Sequence, residues 1–271
     1  MSGEAPVAVG RVEHRVEQGM FLREVRGDVG CPTLLFLHGL GESGLCFEAI
    51  ILHPALKGLR SLVPDLPGYG RTARPPESMD FTMIADHAGA WLASREGGPV
   101  ILVGHSMGGV LALVLAERHP GLVSGVVDVD GNKSAGDCKF SGRAASQSLD
   151  DFCAEGYDAL CEDVFRAGLD DTAMEGYHAS LRLCDARAFH GNACELVSLS
   201  EDETMANRLA TLPVPAFYIA GAPGGACRRS LELLDLAGVP CTVIERSGHW
   251  PFVDQPDRFA ETLVRIVSEM N

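Results

Sequence analysis

The chain has 271 residues, 46% of them hydrophobic, with 31 glycines and 15 prolines, the size and composition of one large globular α/β domain carrying an inserted segment. Its 37 acids against 22 bases leave a net charge of −15, which disfavours nucleic acid or an anionic membrane face as a partner.

Residues 11–26 hold two β-like runs around Gln18-Gly19 and predict an antiparallel hairpin. Short apolar runs at 33–37, 59–64, 100–103 and 122–129 predict strands. Apolar residues at helical spacing over 81–94 and 110–116 predict helices between them. Alternation of this kind gives a mostly parallel central sheet covered by helices on both faces. The pattern then breaks. Leu149, Phe152, Cys153, Tyr157, Leu160, Cys161, Val164 and Phe165 follow helical spacing, and Met174, Tyr177, Leu181 and Cys184 suggest a second helix. No strand signal interrupts 133–211, so that stretch reads as a mostly helical insertion between core segments 1–132 and 212–271. Strands at 214–220 and 241–245 and helices at 230–236 and 259–270 complete the core.

The insertion is acidic, with 15 acids and 7 bases between positions 133 and 212, a surface that disfavours polyanionic substrates. The nine cysteines form no C-x-x-C pair. Their odd number and irregular spacing favour reduced thiols over a disulfide within 153–194. No run approaches 18 apolar residues, and the start MSGEAPVAVGRVEH has no apolar secretory core, so a cytoplasmic chain with no membrane partner is expected.

The strongest local signal is Gly104-His105-Ser106-Met107-Gly108-Gly109, a G-x-S-x-G between a predicted strand and a predicted helix. A strand turning straight into a helix strains the apex residue, crowds its flanks so that they must be glycine, and projects the apex side chain into the cleft. A serine hydroxyl needs a base. His249, in Ser247-Gly248-His249-Trp250-Pro251 after the last predicted strand, has the loop position for it. The other histidines lack that context: His38 and His105 lie in turns that shape the site, and His178 and His190 fall in the insertion. Oxyanion stabilisation needs two convergent backbone donors. Met107, after the nucleophile, offers one. The turn His38-Gly39-Leu40-Gly41-Glu42-Ser43 offers the other at Leu40, with Gly41 as the alternative.

Together HGLGES at 38–43, DLPGYG at 65–70, GHSMGG at 104–109 and GHWPFVDQP at 248–256 resemble the α/β-hydrolase family over roughly residues 20–132 and 212–271. The resemblance implies the α/β-hydrolase fold, with the insertion where the family carries its lid. It also implies a triad acid after the strand that precedes the final βα unit. Here that segment, Ala220-Gly221-Ala222-Pro223-Gly224-Gly225-Ala226, holds no carboxylate. A minority of the family, some haloalkane dehalogenases among them, place the acid at the end of the earlier strand, which here reads Val126-Val127-Asp128-Val129-Asp130. Side chains two apart on a strand share a face, and Asp130 is nearer the carboxyl end, where open α/β sheets put their ligands. Asp130 is therefore the expected acid and Asp128 its rival. Asp65, Glu245 and Asp254 fit turn or helix-start roles. A serine at 106, where dehalogenases and epoxide hydrolases of this fold use aspartate, implies an acyl-enzyme.

The expected activity is hydrolysis of a carboxylic ester, thioester or lactone of a small to medium apolar molecule, with no cofactor and no metal. Candidate substrate contacts are His38, His105, Phe140, Phe152, Tyr157 and Trp250, with Phe165 and Tyr177 as further lid aromatics. Two other readings use the same scaffold: carbon–carbon cleavage or acyl transfer by the same triad, and a non-catalytic ligand-binding protein.

Overall fold

The computed structural model describes residues 11–270. Residues 1–10, on which the expectation about a secretory core rests, lie outside the described residues. The hairpin forms as β1 (Val12–Glu17) and β2 (Met20–Val25). Its two-residue turn puts both Gln18 and Gly19 at positive φ, 47° and 82°, the geometry whose twist matches that of the strands. There follow β3 (Thr33–Leu37), the single-turn α1 (Glu48–Ile51), β4 (Arg60–Pro64), α2 (Phe81–Ala93), β5 (Val100–His105), α3 (Met107–Arg118) and β6 (Val123–Val129). After the intervening helices come β7 (Ala216–Gly224), and later β8 (Cys241–Gly248).

The eight strands form one sheet in the order β1-β2-β4-β3-β5-β6-β7-β8. Only β1 with β2 and β2 with β4 pair antiparallel; every other pair is parallel. Every residue of β3 and of β5 is buried, as strands covered on both faces must be. Beyond Val103, the predicted end, β5 continues to His105, so the strand runs directly into the serine turn. Toward its end β7 also outlasts its predicted limit. Its glycine-rich end stays paired, with Gly224 opposite Gly248 on β8, because glycine lets these backbones approach: a Cβ on Gly221 would stand 2.0 Å from the Gly248 carbonyl oxygen.

Between β6 and β7 the chain is helical, with α4 (Lys139–Ala145), α5 (Leu149–Asp151), α6 (Tyr157–Ala167), α7 (Thr172–Leu181), α8 (Ala186–Glu201) and α9 (Met205–Ala210). The single helix predicted over 149–165 is interrupted. A π-helical turn at Phe152–Gly156 joins α5 to α6, adding a residue to the turn that periodicity cannot register. The longest helix here, α8, lies beyond the two helices that the spacing predicts in this segment. Its face buries Phe189, Ala193 and Leu196 alongside the polar His190 and Asn192. The chain ends with α10 (Arg228–Ala237) between β7 and β8, then α11 (Pro251–Asp254) and α12 (Pro256–Glu269). All nine cysteines are free. Among the described residues no helix is long and apolar enough to cross a membrane.

Candidate active site

The serine turn is as strained as its sequence demands. Ser106 sits at φ 53°, ψ −118°, between β5 and α3, a conformation costing a non-glycine residue about 1–3 kcal/mol. Its flanks are glycine for a steric reason: a Cβ on Gly104 would lie 2.2 Å from the Gly108 carbonyl oxygen, and one on Gly108 would lie 2.0 Å from that of Leu37. The turn is held from the side by the Ser106 N–H, which donates to the Val129 carbonyl at 2.9 Å. Met107 opens α3, so its N–H has no intrahelical acceptor.

Ser106 opens into a cavity of about 380 Å³ that also exposes Leu40, Asp130, His249 and Trp250. The helical segment contributes Phe140, Met174 and Tyr177 to its wall. Five carboxylates border it, Glu42, Asp130, Asp137, Asp171 and Asp254, against one lysine, Lys139. Four of the five have evident structural work. Asp171 caps α7 through the Met174 N–H. Asp254 accepts from the Gly248 N–H at 2.6 Å and from the Ser247 hydroxyl at 3.3 Å. Asp137 accepts from the N–H groups of Lys133 and Cys227 and from the Ser230 hydroxyl. Glu42 is bound to His105 and Trp250.

Asp130 follows β6 at φ 47°, and its carboxylate likewise accepts from neutral donors, the Gly221 N–H at 3.1 Å and the Ala226 N–H at 2.8 Å. Burial without a bonded cation pushes its pKa up to about 7, although those amides and the charge of His105 pull the other way. His249 is moved in the opposite direction. Burial, and then the neighbouring His105, bring it down to about 3. No hydrogen bond joins the Asp130 carboxylate to the His249 ring, whose closest aromatic neighbours are His105 and Trp250, with ring centroids 4.7 and 5.2 Å away.

Strand alternation predicts that Asp128 and Asp130 share a face, but the structure gives them different surroundings. The positive φ at 130 breaks the two-residue period. Asp128 lies in the interior against Gly109 and Gly131, with Lys133 Nζ at 2.6 Å, and both members of this ion pair are fully buried.

Three of the expected substrate contacts are placed elsewhere. His38 is buried; its Nε2 accepts the Leu66 N–H at 3.0 Å and its Nδ1 meets the Gly39 carbonyl at 2.9 Å. One N–H donor and one acceptor satisfy a neutral imidazole, and burial lowers its pKa accordingly. The ring thus stitches the 38–43 turn to the 65–70 turn. Phe152 packs on Phe189, Tyr157 and His190 inside the helical segment. The Tyr157 hydroxyl donates to the carbonyls of Leu181 and Cys184. Helical spacing marks buried aromatics without saying whether they face a cavity or one another. The residue that sequence reasoning missed is Glu42, hidden because its partners, His105 and Trp250, are 63 and 208 positions away.

Residues 34–262 match the model of the alpha/beta hydrolase family. The chain is 27% identical over 250 residues to a pimeloyl-[acyl-carrier protein] methyl ester esterase of Pectobacterium carotovorum, covering 87% of this chain and 94% of that one. It is 28% identical over 119 residues to 2-(acetamidomethylene)succinate hydrolase of Mesorhizobium japonicum, covering 44% of this chain and 42% of the relative. Several further curated relatives are likewise matched over only about a third of their length. The fold is close to that of a thermophilic esterase from Thermogutta terrifontis, with a TM-score of 0.74 at 20% identity over 96% of this chain and 99% of that one.

Proposed function

The chain belongs to the alpha/beta hydrolase family, and from that premise we propose that it is a serine hydrolase cleaving a carboxylic ester, thioester or lactone of a small to medium apolar acyl group. The carrying observation is the strained Ser106, opening into one cavity with His249 and Asp130. His249, held neutral by burial, takes the Ser106 proton as the hydroxyl attacks the carbonyl carbon. The N–H groups of Met107 and Leu40 receive the oxyanion. His249 then protonates the leaving group and activates the water that releases the acid.

Asp130 is the proposed partner of the base. It is a buried carboxylate lacking a bonded cation, and it lines the same cavity as the half-buried imidazole of His249, which has no bonded anion. Forming the imidazolium during the reaction supplies each with what it lacks, since burial disfavours the charged form of both groups at rest. The helical segment acts as the lid, closing the cavity with Phe140, Met174 and Tyr177. The methyl ester esterase matched over nearly its whole length supports an ester as the scissile bond.

Incubation with a fluorophosphonate probe followed by peptide mass spectrometry tests this directly. The expected result is one covalent adduct on Ser106, absent from Ser106→Ala and weakened in His249→Gln. A folded protein that takes no label would return the scaffold to a binding role.

A further inference from the structure

Behind the proposed base lies a second histidine–carboxylate pair that the reaction above does not use. His105 is 1% exposed and Glu42 2%. The His105 Nδ1 is 3.0 Å from Glu42 Oε2, and its Nε2 is 2.7 Å from the backbone carbonyl oxygen of His249. Both ring nitrogens therefore face acceptors. A neutral imidazole has a single N–H and would leave a lone pair against an oxygen at one of these contacts. Only the doubly protonated ring donates to both. Glu42 is poorly suited to hold the proton instead, since its oxygens also accept the Gly39 N–H at 2.6 Å, the Trp250 indole N–H and the Cys46 thiol.

We infer that His105 is kept as a buried imidazolium by Glu42 and that the pair is a positioning device, clamping the His249 carbonyl and so aiming the base at Ser106. One carboxylate thereby ties three loops together: the 38–43 turn through Gly39, the serine turn through His105, and the base turn through Trp250 and the His249 carbonyl. This rests on the reading of Ser106 and His249 as nucleophile and base.

The electrostatics agree with the geometry. Burial alone would lower the His105 pKa, but the charge and hydrogen bond of Glu42, with the His249 carbonyl and Asp130 behind them, leave it raised. Burial alone would raise that of Glu42, but His105 and the N–H donors bring it down to about 2. The charged groups facing His249 are His105 and Lys139, which lower its pKa, and Glu42 and Asp137, which raise it. Loss of the Glu42 charge lets His105 shed its proton. At the base the loss of the His105 charge is offset by the loss of the Glu42 charge, whereas Asp130 loses an attractive charge with no such offset, so its pKa rises.

Two measurements test this. In uniformly ¹⁵N-labelled wild-type protein at pH 8, long-range ¹H–¹⁵N spectra should show two protonated ring nitrogens for one histidine, assigned to His105 by their loss in His105→Gln. A single protonated nitrogen at His105 overturns the imidazolium, whatever the enzyme's activity. Glu42→Gln should lower kcat by about 10- to 100-fold, as losing the support of a catalytic histidine does. KM should hold within about threefold, and the acid limb of the pH profile should move to higher pH. Glu42→Asp should recover part of the loss. Unchanged kcat with an unmoved acid limb in folded Glu42→Gln overturns the positioning role. Because the ring measurement needs neither turnover nor a substrate, its failure is distinct from a failure of Ser106 to take the fluorophosphonate label.

Discussion

A serine hydroxyl is not ionised at neutral pH, so the reactivity proposed for Ser106 depends on its neighbours, and Asp130 is the neighbour whose charge is hardest to hold. Its pKa stands near 7 and that of His249 near 3. The working form needs the carboxylate ionised and the imidazole neutral. The imidazole meets that condition at any pH above about 3, so the carboxylate sets the limit. Accordingly kcat/KM should climb with pH and level off above about 7, an apparent value that belongs to the coupled pair. Asp130→Asn should remove this limb and lower kcat on the order of 10⁴-fold, by the tautomer argument for triads. Asp128→Asn, away from the cavity, should leave the limb in place. A limb near pH 7 persisting in Asp130→Asn would assign it to another group.

At the scale of elements, the carboxyl end of β6 does two jobs within three residues. Asp130 reaches the cavity, while Asp128 turns inward to Lys133. Lys133 Nζ also donates to the carbonyls of Gly131 and Asn132 and lies 5.1 Å over the Tyr218 ring. The Tyr218 hydroxyl donates to the same Gly131 carbonyl. The turn that aims Asp130 is thus pinned from beneath by a fully buried charge pair. Lys133→Met should cost about 3–5 kcal/mol in urea unfolding at pH 7, because it strands a buried carboxylate. Burial raises the Asp128 pKa even with the lysine present. A raised carboxylate pKa means stability that is present at low pH and lost as pH rises. The deficit of Lys133→Met should therefore shrink as pH falls toward about 4, and Lys133→Met/Asp128→Asn should regain much of it. A deficit unaffected by pH would point to lost packing instead.

The same stretch shows what a sequence can and cannot disclose. The strand, the serine turn and the two glycine turns were legible because each rests on local chemistry: β-branched runs, serine-turn glycines that a Cβ would drive into backbone at 2.0–2.2 Å, and the positive φ of Gly41, Gly68 and Gly70 in the other two turns. The common face of Asp128 and Asp130 was misread because one positive φ cancels alternation, and no residue type announces a positive φ at aspartate. Glu42 and Lys133 were passed over for a different reason. Their roles depend on where distant or inward-folded chain places their partners, which neither spacing nor charge counting carries.

Across the whole molecule the excess of acid extends to the site itself. Five carboxylates border the cavity against Lys139, so the field at Ser106 should oppose an anionic acyl group while admitting a neutral one. The volume, about 380 Å³, is near the small end of the ~300–1,000 Å³ usual for ligand pockets. Each added methylene contributes about 0.8 kcal/mol while it can still be buried, and then nothing or a clash once the cavity is full. With p-nitrophenyl esters, kcat/KM should thus rise over roughly the first four to six acyl carbons and fall by dodecanoate. Charge is separated from size by comparing a butyrate ester with the half-ester of succinate, which has the same chain length and a terminal carboxylate. The neutral ester should be favoured by about tenfold or more in dilute buffer, and the gap should narrow in ~0.5 M salt as the carboxylates are screened. A preference for the half-ester would show that Lys139, despite its acidic surroundings, receives a substrate carboxylate, and would shift the substrate class from neutral acyl groups to acidic ones.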